Sequence, residues 1–273
     1  MKKNYQAKLS LDGRRISLGT FSSKQKEKKA CDSAKQIYFS NDITLDDALI
    51  MFEEKGEEGL NISFDILISI LNYRDNRIFI KTPIYIRLNY ISYFLSPKVE
   101  LKFDVDELFY YSSHKILTRG NSLHSLYVND FGIQERISER YGLHVFSVKD
   151  RDYKFLNGDE TDFRSSNISI INRFVGVFKK YYEKNKFYYE VKIHINGEFI
   201  IGKFKDEIKA AIAYNKAADY ANEKGLKKSF NQNYIEDISK DEYKKIYEDI
   251  KLPKSYMIYF NDSSFAYFIS KEK

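Results

Sequence analysis

The 273-residue sequence contains one cysteine, three prolines and no tryptophan. A lone cysteine, Cys31, excludes an intramolecular disulfide framework, and a cysteine-based zinc site requires more thiolates. Long apolar runs are also missing, since stretches such as Ile62–Leu71 are interrupted by Asp or Ser and are too short to span a bilayer. The opening MKKNYQAKLSLDG has no apolar segment behind its lysines, so we expect no secretory signal. These absences favour an intracellular protein without a membrane partner.

Charged residues make up 31% and hydrophobic residues 43% of the sequence, which is typical of a globular protein. The net charge of +6 is unevenly spread. Residues 1–40 carry ten basic against three acidic side chains, residues 172–229 carry thirteen against seven, and the rest of the chain is acidic. Two basic islands favour a polyanionic partner, because neutralised phosphates release counterions. On charge alone, a polyanionic partner and a pair of simply solvated lysine-rich faces are equally favoured.

Two segments of the basic islands are similar to each other. YQAKLSLDGRRISLGTF spans Tyr5–Phe21, and YEVKIHINGEFIIGKF spans Tyr189–Phe204. Each alternates apolar and polar residues, continues through Asp-Gly or Asn-Gly into a second run, and ends in Gly-x-Phe. The alternation has the period of a half-buried antiparallel strand, and Asp-Gly and Asn-Gly favour tight hairpin turns. Each segment therefore predicts a β-hairpin.

A helical period follows each hairpin. Nine residues after the final Phe stands Ala30 in the first copy and Ala213 in the second, with Ala34 and Ala217 four residues later. Small residues at this spacing let a helix lie close against a sheet. We therefore predict an α+β fold, in which small antiparallel sheets each pack on one helix and leave the opposite, polar and basic face free.

The later copy belongs to a longer segment, Gly176–Asn231. It has a Gly-Val opening, a Glu-hydrophobic-Lys strand, Gly-x-Phe, the helix Ala-Ala-x-Ala-Tyr-x-x-Ala-Ala and a terminal Asn. These features resemble the apetala-two/ethylene-response-factor DNA-binding domain. The N-terminal copy is shorter and lacks a clear first strand. The resemblance implies a three-stranded sheet that enters the major groove of double-stranded DNA, with the helix behind it.

By this resemblance, several residues of the later copy would face bases or phosphates: Phe178, Lys180, Tyr182, Glu190, Lys192, Ile200 and Lys203. In the N-terminal copy the equivalent positions or their neighbours are Lys8, Arg14, Arg15 and Thr20. His194 shares the predicted face, where DNA contact and ordinary exposure are equally favoured. Glu190 either reads a cytosine amino group or pairs with a lysine. The family usually has arginines and tryptophans where this chain has Phe178, Tyr182 and Ile200, so no sequence preference is transferred.

Between the two copies lie Leu123-His124-Ser125, Asn157-Gly158-Asp159, Asp162, Arg164 and Asn167-Ile168. This series resembles the signature of HNH homing endonucleases that carry an apetala-two-type domain at their C terminus. Phe155 stands where that family has its general-base His, and Phe163 where it has an Asn. Because Phe cannot accept a proton, we predict no catalytic residue, no metal site and no cofactor. An active enzyme would need a replacement base, either His124 or His144, with Asp159 or Asp162 and Mg²⁺.

The sequence divides into five predicted segments: an N-terminal apetala-two-like half module (1–43), a mixed α/β segment of unknown role (44–110), a degenerate HNH-like region (111–172), an apetala-two-like domain (173–232), and a C-terminal helix with an aromatic strand (233–273). For the aromatic residues at the C terminus we favour core packing over a partner surface. A homodimer, and a protein partner at the acidic middle or the aromatic end, are left open.

Three functions follow from these features. The first is a double-stranded DNA-binding protein built on an HNH/apetala-two endonuclease that has lost catalysis, with a regulatory or genome-organising role. The second is an active, metal-dependent homing-type endonuclease. The third is a viral structural protein that binds nucleic acid without reading its sequence. All three place the protein with DNA, in the cytoplasm, the nucleus or a virus particle.

Overall fold

A computed structural model describes residues 4–119, 126–130, 133–226 and 229–260. Within these ranges the chain is α+β and its sheets are small and antiparallel, which confirms the predicted class. The chain divides into two compact units: Met1–Ile137 with Phe155–Ile168, and Ser138–Lys154 with Ser169–Lys273. None of the described helices combines the length and the apolar character needed to cross a bilayer.

The first unit begins with the predicted hairpin and helix. Strands Tyr5–Leu11 (β1) and Arg14–Phe21 (β2) pair antiparallel, and helix Lys24–Phe39 (α1) packs on them. The apolar side of the hairpin, including Leu9, is buried against Ala30 and the rest of the α1 core stripe. The hairpin predicted from the alternation and the helix predicted from the alanine spacing are therefore both confirmed.

Two further helices complete the core of the first unit. Helix Leu45–Leu60 (α2) begins with a capping box between Thr44 and Asp47, and helix Phe64–Asn76 (α3) is capped by Ser63. Both helices contact α1. The capping side chains satisfy backbone N–H groups that have no partner inside a helix. Helix α2 is kinked at Gly56, whose backbone is not helical (φ +64°, ψ −178°), before it ends at Leu60.

The rest of the first unit is made of short strands and one helical turn. In chain order these are Ile84–Ile86 (β3), Ile91–Ser96 (β4), Val99–Phe103 (β5), Leu108–Tyr111 (α4), Ile116–Thr118 (β6), Leu126–Asp130 (β7) and Ile133–Arg136 (β8). Strands β3–β5 form one three-stranded sheet and β6–β8 another. Two more short strands, Tyr153–Phe155 (β9) and Ile168–Ile170 (β10), pair with each other, and along the chain each begins in one unit and ends in the other.

The second unit contains the later copy. Strands Val177–Glu183 (β11), Lys186–His194 (β12) and Glu198–Phe204 (β13) form a three-stranded antiparallel sheet, and helix Glu207–Glu223 (α5) packs on one side of it. The buried side chains of the sheet meet an alanine-rich helix face, with Ala213 and Ala217 fully buried. This close approach is what the spacing of the alanines predicts.

The two copies share an irregularity as well as their general shape. Ala7 pairs with Gly19 and the next pair is Lys8 with Ser17, so Leu18 is an extra, bulged residue. In the later copy Val191 pairs with Gly202 and the next pair is Lys192 with Ile200, so Ile201 is bulged. A bulge at the same place in both hairpins makes Lys8 and Lys192 equivalent positions.

The C-terminal segment forms helices Lys240–Asp249 (α6) and Lys254–Tyr259 (α7). Tyr256 is fully buried and donates to the Ala217 carbonyl at 2.8 Å, which confirms core packing at this position. The structure differs from the predicted aromatic strand here, because Tyr256 and Tyr259 lie in α7. Phe265, Tyr267 and Phe268 lie outside the described residues.

Polar side chains join the C-terminal segment to α5. Asn215 and Asn233 exchange two hydrogen bonds, and Asn233 exchanges two more with the backbone of Val175. The buried asparagine is therefore Asn233, whereas Asn231, the terminal Asn of the family resemblance, is exposed. Lys216 donates to the Tyr247 and Ile250 carbonyls at 2.5 and 2.7 Å, so it caps the C-terminal end of α6.

Candidate nucleic-acid interface

The outer face of the sheet β11–β12–β13, hereafter the sheet face, is the side turned away from α5. Its cross-strand rows are Phe178 with Glu190 and Lys203, Lys180 with Tyr188, Lys192 with Ile200, and His194 with Glu198. Tyr182 lies at a second bulge, with its ring 6.1 Å from that of Tyr188. The structure thus brings all the residues predicted for the later copy onto one face.

Lys192 is surrounded by carboxylates on this face. Its Nζ lies 3.2 Å from a carboxylate oxygen of Glu198 and 3.7 Å from one of Glu190. The hydrogen bond with Glu198 raises the pKa of Lys192, so the amine stays charged. Glu190 lies within ion-pair distance of Lys192, the arrangement that the second of its two predicted roles requires. The sheet face is therefore polar with charges of both signs, and its central lysine is paired with two glutamates.

Arg151 adds a cation that the sequence motifs do not indicate. Its guanidinium carbon lies 5.6 Å from the centroid of the Phe178 ring, at a cation–π distance. Arg151 is about half exposed, and it also donates to Asp152 at 2.6 Å. The guanidinium therefore lies at the edge of the sheet face next to Phe178, with its charge paired to Asp152.

A buried Asp–Asn pair fixes the loop that presents Arg151. The Asn172 amide donates to the Arg151 carbonyl and to Asp152, and its oxygen accepts from the Lys179 N–H of β11 at 2.8 Å. Burial alone would raise the pKa of Asp152, but hydrogen bonds from Arg151, the Val148 N–H and Asn172 lower it. Arg151 and Asn172 are 21 residues apart, so no local spacing predicts this contact.

The N-terminal hairpin presents a smaller polar face. Lys8 and Arg15 are exposed on the side turned away from α1, together with Thr20 at the end of β2. Arg14 differs from its predicted placement. The two-residue turn makes Arg14 the partner of buried Leu11, so it lies on the opposite side, with its guanidinium carbon 5.0 Å from the Phe79 ring centroid.

The equivalence of the two bulges aligns the two faces residue by residue. Lys8 matches Lys192, Thr20 matches Lys203, and Arg15 matches Glu198. The bulge position therefore carries a lysine in both copies, whereas the position two residues nearer the hairpin turn on the second strand carries Arg15 in one copy and Glu198 in the other.

Phe155 and Phe163, which the sequence resemblance places at two polar positions of HNH nucleases, pack together in an aromatic cluster. The Phe155 and Phe163 rings meet edge to face at 5.5 Å, and Phe163 stacks on Phe103 at 5.6 Å. Phe163 is buried. An apolar cluster of this kind holds neither a general base nor a metal ligand.

The carboxylates of this segment are paired with cations of the same chain. Lys102 Nζ lies 2.9 Å from Asp159, and Arg164 lies 2.6 Å from Asp162, which is almost fully buried. Burial alone would raise the pKa of Asp159, but hydrogen bonds from Thr161 and Lys102 lower it to about 2. Within the described ranges no group of three or more His, Cys, Asp or Glu is arranged to hold a metal. Asp159 and Asp162 are thus each paired with a cation of the same chain.

Of the two candidate replacement bases, the described residues include His144 alone. His124 lies outside the described residues. His144 is nearly buried, and the carboxylate beside it is Asp152, with Nε2 and Oδ2 3.9 Å apart. Burial lowers the pKa of His144 despite this neighbour, whose charge is already paired with Arg151. His144 is therefore a neutral side chain of the second unit's interior, whereas Asp159 and Asp162 belong to the first unit.

Comparisons with known proteins give no match. No protein-family model matches the chain, and no curated protein or solved structure is significantly similar to it.

Proposed function

We propose that this protein binds double-stranded DNA without cleaving it, using the sheet face and the outer side of the β1–β2 hairpin. The observation that carries the proposal is the repeated hairpin, bulge and helix. Each copy keeps a lysine, Lys8 or Lys192, at the bulge on the face that its helix leaves uncovered. A two- or three-stranded β-ribbon can enter the major groove, and lysines and arginines on it can reach phosphates or guanine edges.

The proposal includes a nuclease ancestry with lost catalysis. The residue series from Asn157 to Asn167 supports the ancestry, and the Phe155–Phe163 cluster together with the Lys102–Asp159 and Arg164–Asp162 pairs supports the loss. A protein that grips DNA but does not cut it fits a regulatory or genome-organising role, located with DNA inside a cell or particle.

The test is a fluorescence-anisotropy titration of a labelled DNA duplex at several salt concentrations. Lys180 and Lys203 are exposed on the sheet face, so the double variant Lys180→Ala/Lys203→Ala removes two cations without disturbing the core. We expect weaker binding, and a logarithmic salt slope that is lower by about one for each lysine that contacts a phosphate. Lys245→Ala, an exposed lysine on α6, is the matched control and should keep the wild-type slope.

The same samples separate the alternatives. Unchanged affinity in the double variant contradicts the assignment of the sheet face. Cleavage that requires Mg²⁺ or Mn²⁺, measured on a denaturing gel, contradicts the loss of catalysis and favours the endonuclease. Equal affinity for all competitor sequences favours the viral structural protein over a regulator.

A further inference from the structure

The tip of the β11–β12 hairpin carries exposed aromatic rings on both sides of its ribbon. Tyr181 and Phe187 pair directly across the strands on the side of α5, with ring centroids 5.8 Å apart. Tyr182 and Tyr188 lie on the other side. Tyr181 is 65% exposed, Tyr182 59% and Phe187 37%. We call these four residues the aromatic tip.

The aromatic tip is not part of the core of the second unit. Along β11 the residues change from buried at Val177 to exposed from Lys180 to Glu183, so α5 covers only the base of the hairpin. Adjacent exposed rings form a continuous apolar surface, and contiguous surfaces of this kind are features of binding sites. Folding alone does not account for them.

Lysines accompany the rings. Lys179 Nζ lies 4.0 Å from the Phe187 ring centroid, and Lys203 Nζ lies 4.8 Å from that of Tyr188. From Lys179 to Tyr189 the chain has four lysines and one glutamate, Glu183, which is paired with Lys186 at 2.7 Å. The tip therefore combines flat apolar surfaces with positive charge.

We propose that the aromatic tip binds unpaired DNA bases next to the duplex held by the sheet face. A base in a duplex is stacked on both faces and offers none to a protein ring, whereas an unpaired base stacks on Tyr or Phe while nearby lysines contact its phosphates. The inference rests on the proposed duplex binding for the position of the DNA. It adds a second ligand, single-stranded DNA, and a preference for junctions.

The test compares a blunt duplex, the same duplex with a single-stranded extension, and the isolated single strand, each by fluorescence anisotropy. Phe187→Leu and Tyr181→Leu keep apolar bulk but remove the ring, whereas Phe187→Tyr and Tyr181→Phe keep the ring. Tyr234→Leu is the matched control, because Tyr234 is an 80% exposed tyrosine elsewhere in the same unit. Circular dichroism melts check that each variant is folded.

We expect each leucine variant to bind the extended duplex and the single strand about fivefold or more weakly, with unchanged affinity for the blunt duplex. The ring-keeping variants and Tyr234→Leu should bind as the wild type does. Leucine variants that bind all three DNAs like the wild type overturn the inference, as does an equal loss on blunt and extended duplexes. If the wild type fails to bind the blunt duplex, the proposed function fails, and the single-strand titration still decides whether the aromatic tip binds bases.

Discussion

Lys8 and Lys192 occupy the same bulge position but have different neighbours. Lys8 shares its face with Arg15, while Lys192 is held between Glu190 and Glu198. A lysine paired with carboxylates attracts phosphate less than an unpaired one, because the pair has little net charge. The charge of the sheet face is therefore limited by its glutamates as much as by its lysines.

Glu198→Gln should strengthen duplex binding. Glu198 is well exposed and lies 3.2 Å from Lys192 Nζ, so the amide keeps a hydrogen-bonding group but leaves the lysine charge available to phosphate. We expect the dissociation constant to fall by about two- to fivefold at low salt, and the gain to shrink as salt screens it. Anisotropy titrations at two salt concentrations check this. Glu248→Gln on α6, also exposed, is the control, and an equal gain there would contradict a local effect.

His144 should make the stability of the second unit depend on pH. Burial lowers its folded-state pKa below the ordinary 6.5, so the unfolded chain takes up a proton at a higher pH than the folded chain does. The stability linked to neutral His144 is therefore complete above about pH 6.5 and is lost as the pH falls below it. His144→Leu should lose less stability than the wild type between about pH 7.5 and 5.5 in urea unfolding. Parallel losses in both proteins would contradict this.

At the scale of elements, the two copies are the most predictable part of the chain. Alternation, Asp-Gly or Asn-Gly turns and alanine spacing predict both hairpins and both helices, because each signal is local. The bulges at Leu18 and Ile201 carry no such signal and appear only in the strand register. The apolar runs in the middle of the chain also lack a local signal that separates helix from strand. Phe64–Asn76 forms a helix and Ile91–Ser96 forms a strand, although both are rich in the same apolar residue types.

The residues of the candidate site could be predicted only where they lie along the strands of one hairpin. The sheet-face residues alternate along β12 and could be assigned from the sequence, whereas Arg151 reaches Phe178 through the Asp152–Asn172 pair, which joins distant segments. The family resemblance assigns both Arg14 and Arg15 to the DNA-facing side of the N-terminal hairpin. Neighbouring residues of a strand point to opposite sides, so only one of the two, Arg15, lies on that side.

Gly176 supports the first strand of the sheet, and its replacement should be costly. It has a φ of +70°, and a Cβ there would lie 2.3 Å from the Tyr214 ring and 2.5 Å from the Lys192 carbonyl oxygen. We expect Gly176→Ala to reduce the free energy of unfolding by about 1–3 kcal/mol, measured by urea unfolding. Gly225→Ala is the control, because it has a φ of +94° but no atom within 4 Å of the added Cβ. Equal losses in the two variants would contradict a role for the close contact.

At the scale of the whole molecule, each compact unit is built from two separate stretches of the chain. The second unit includes Ser138–Lys154, which the sequence assigns to the HNH-like region, and the first unit includes Phe155–Ile168. A boundary at residue 172 or 173 separates Asp152 from the sheet that it anchors through Asn172. Segment boundaries drawn from motifs miss this, because the motif residues and the packing residues are interleaved.

A fragment 173–273 should therefore be less stable than a fragment 138–273. The shorter fragment lacks Asp152 and Asn172, so the β11 backbone loses a hydrogen-bond partner and Arg151 is missing beside Phe178. We expect a difference of about 1–3 kcal/mol in the free energy of unfolding, together with weaker duplex binding by the shorter fragment. Asp152→Ala in the longer fragment should reproduce most of the loss of stability. Equal stability of the two fragments would contradict the anchoring role of the pair.

The interleaved units also impose an order on synthesis. The first unit lacks its last piece until residue 168 has left the ribosome, by which time Ser138–Lys154 has already emerged. That earlier piece contacts the sheet through Asn172 and β11, and β11 ends only at Glu183. At about 5–20 residues per second, the nascent segment that carries His144 and Asp152 waits for several seconds before its packing partners exist. During that interval their buried polar atoms are exposed to water, and the second unit can close only once its final strand has been translated.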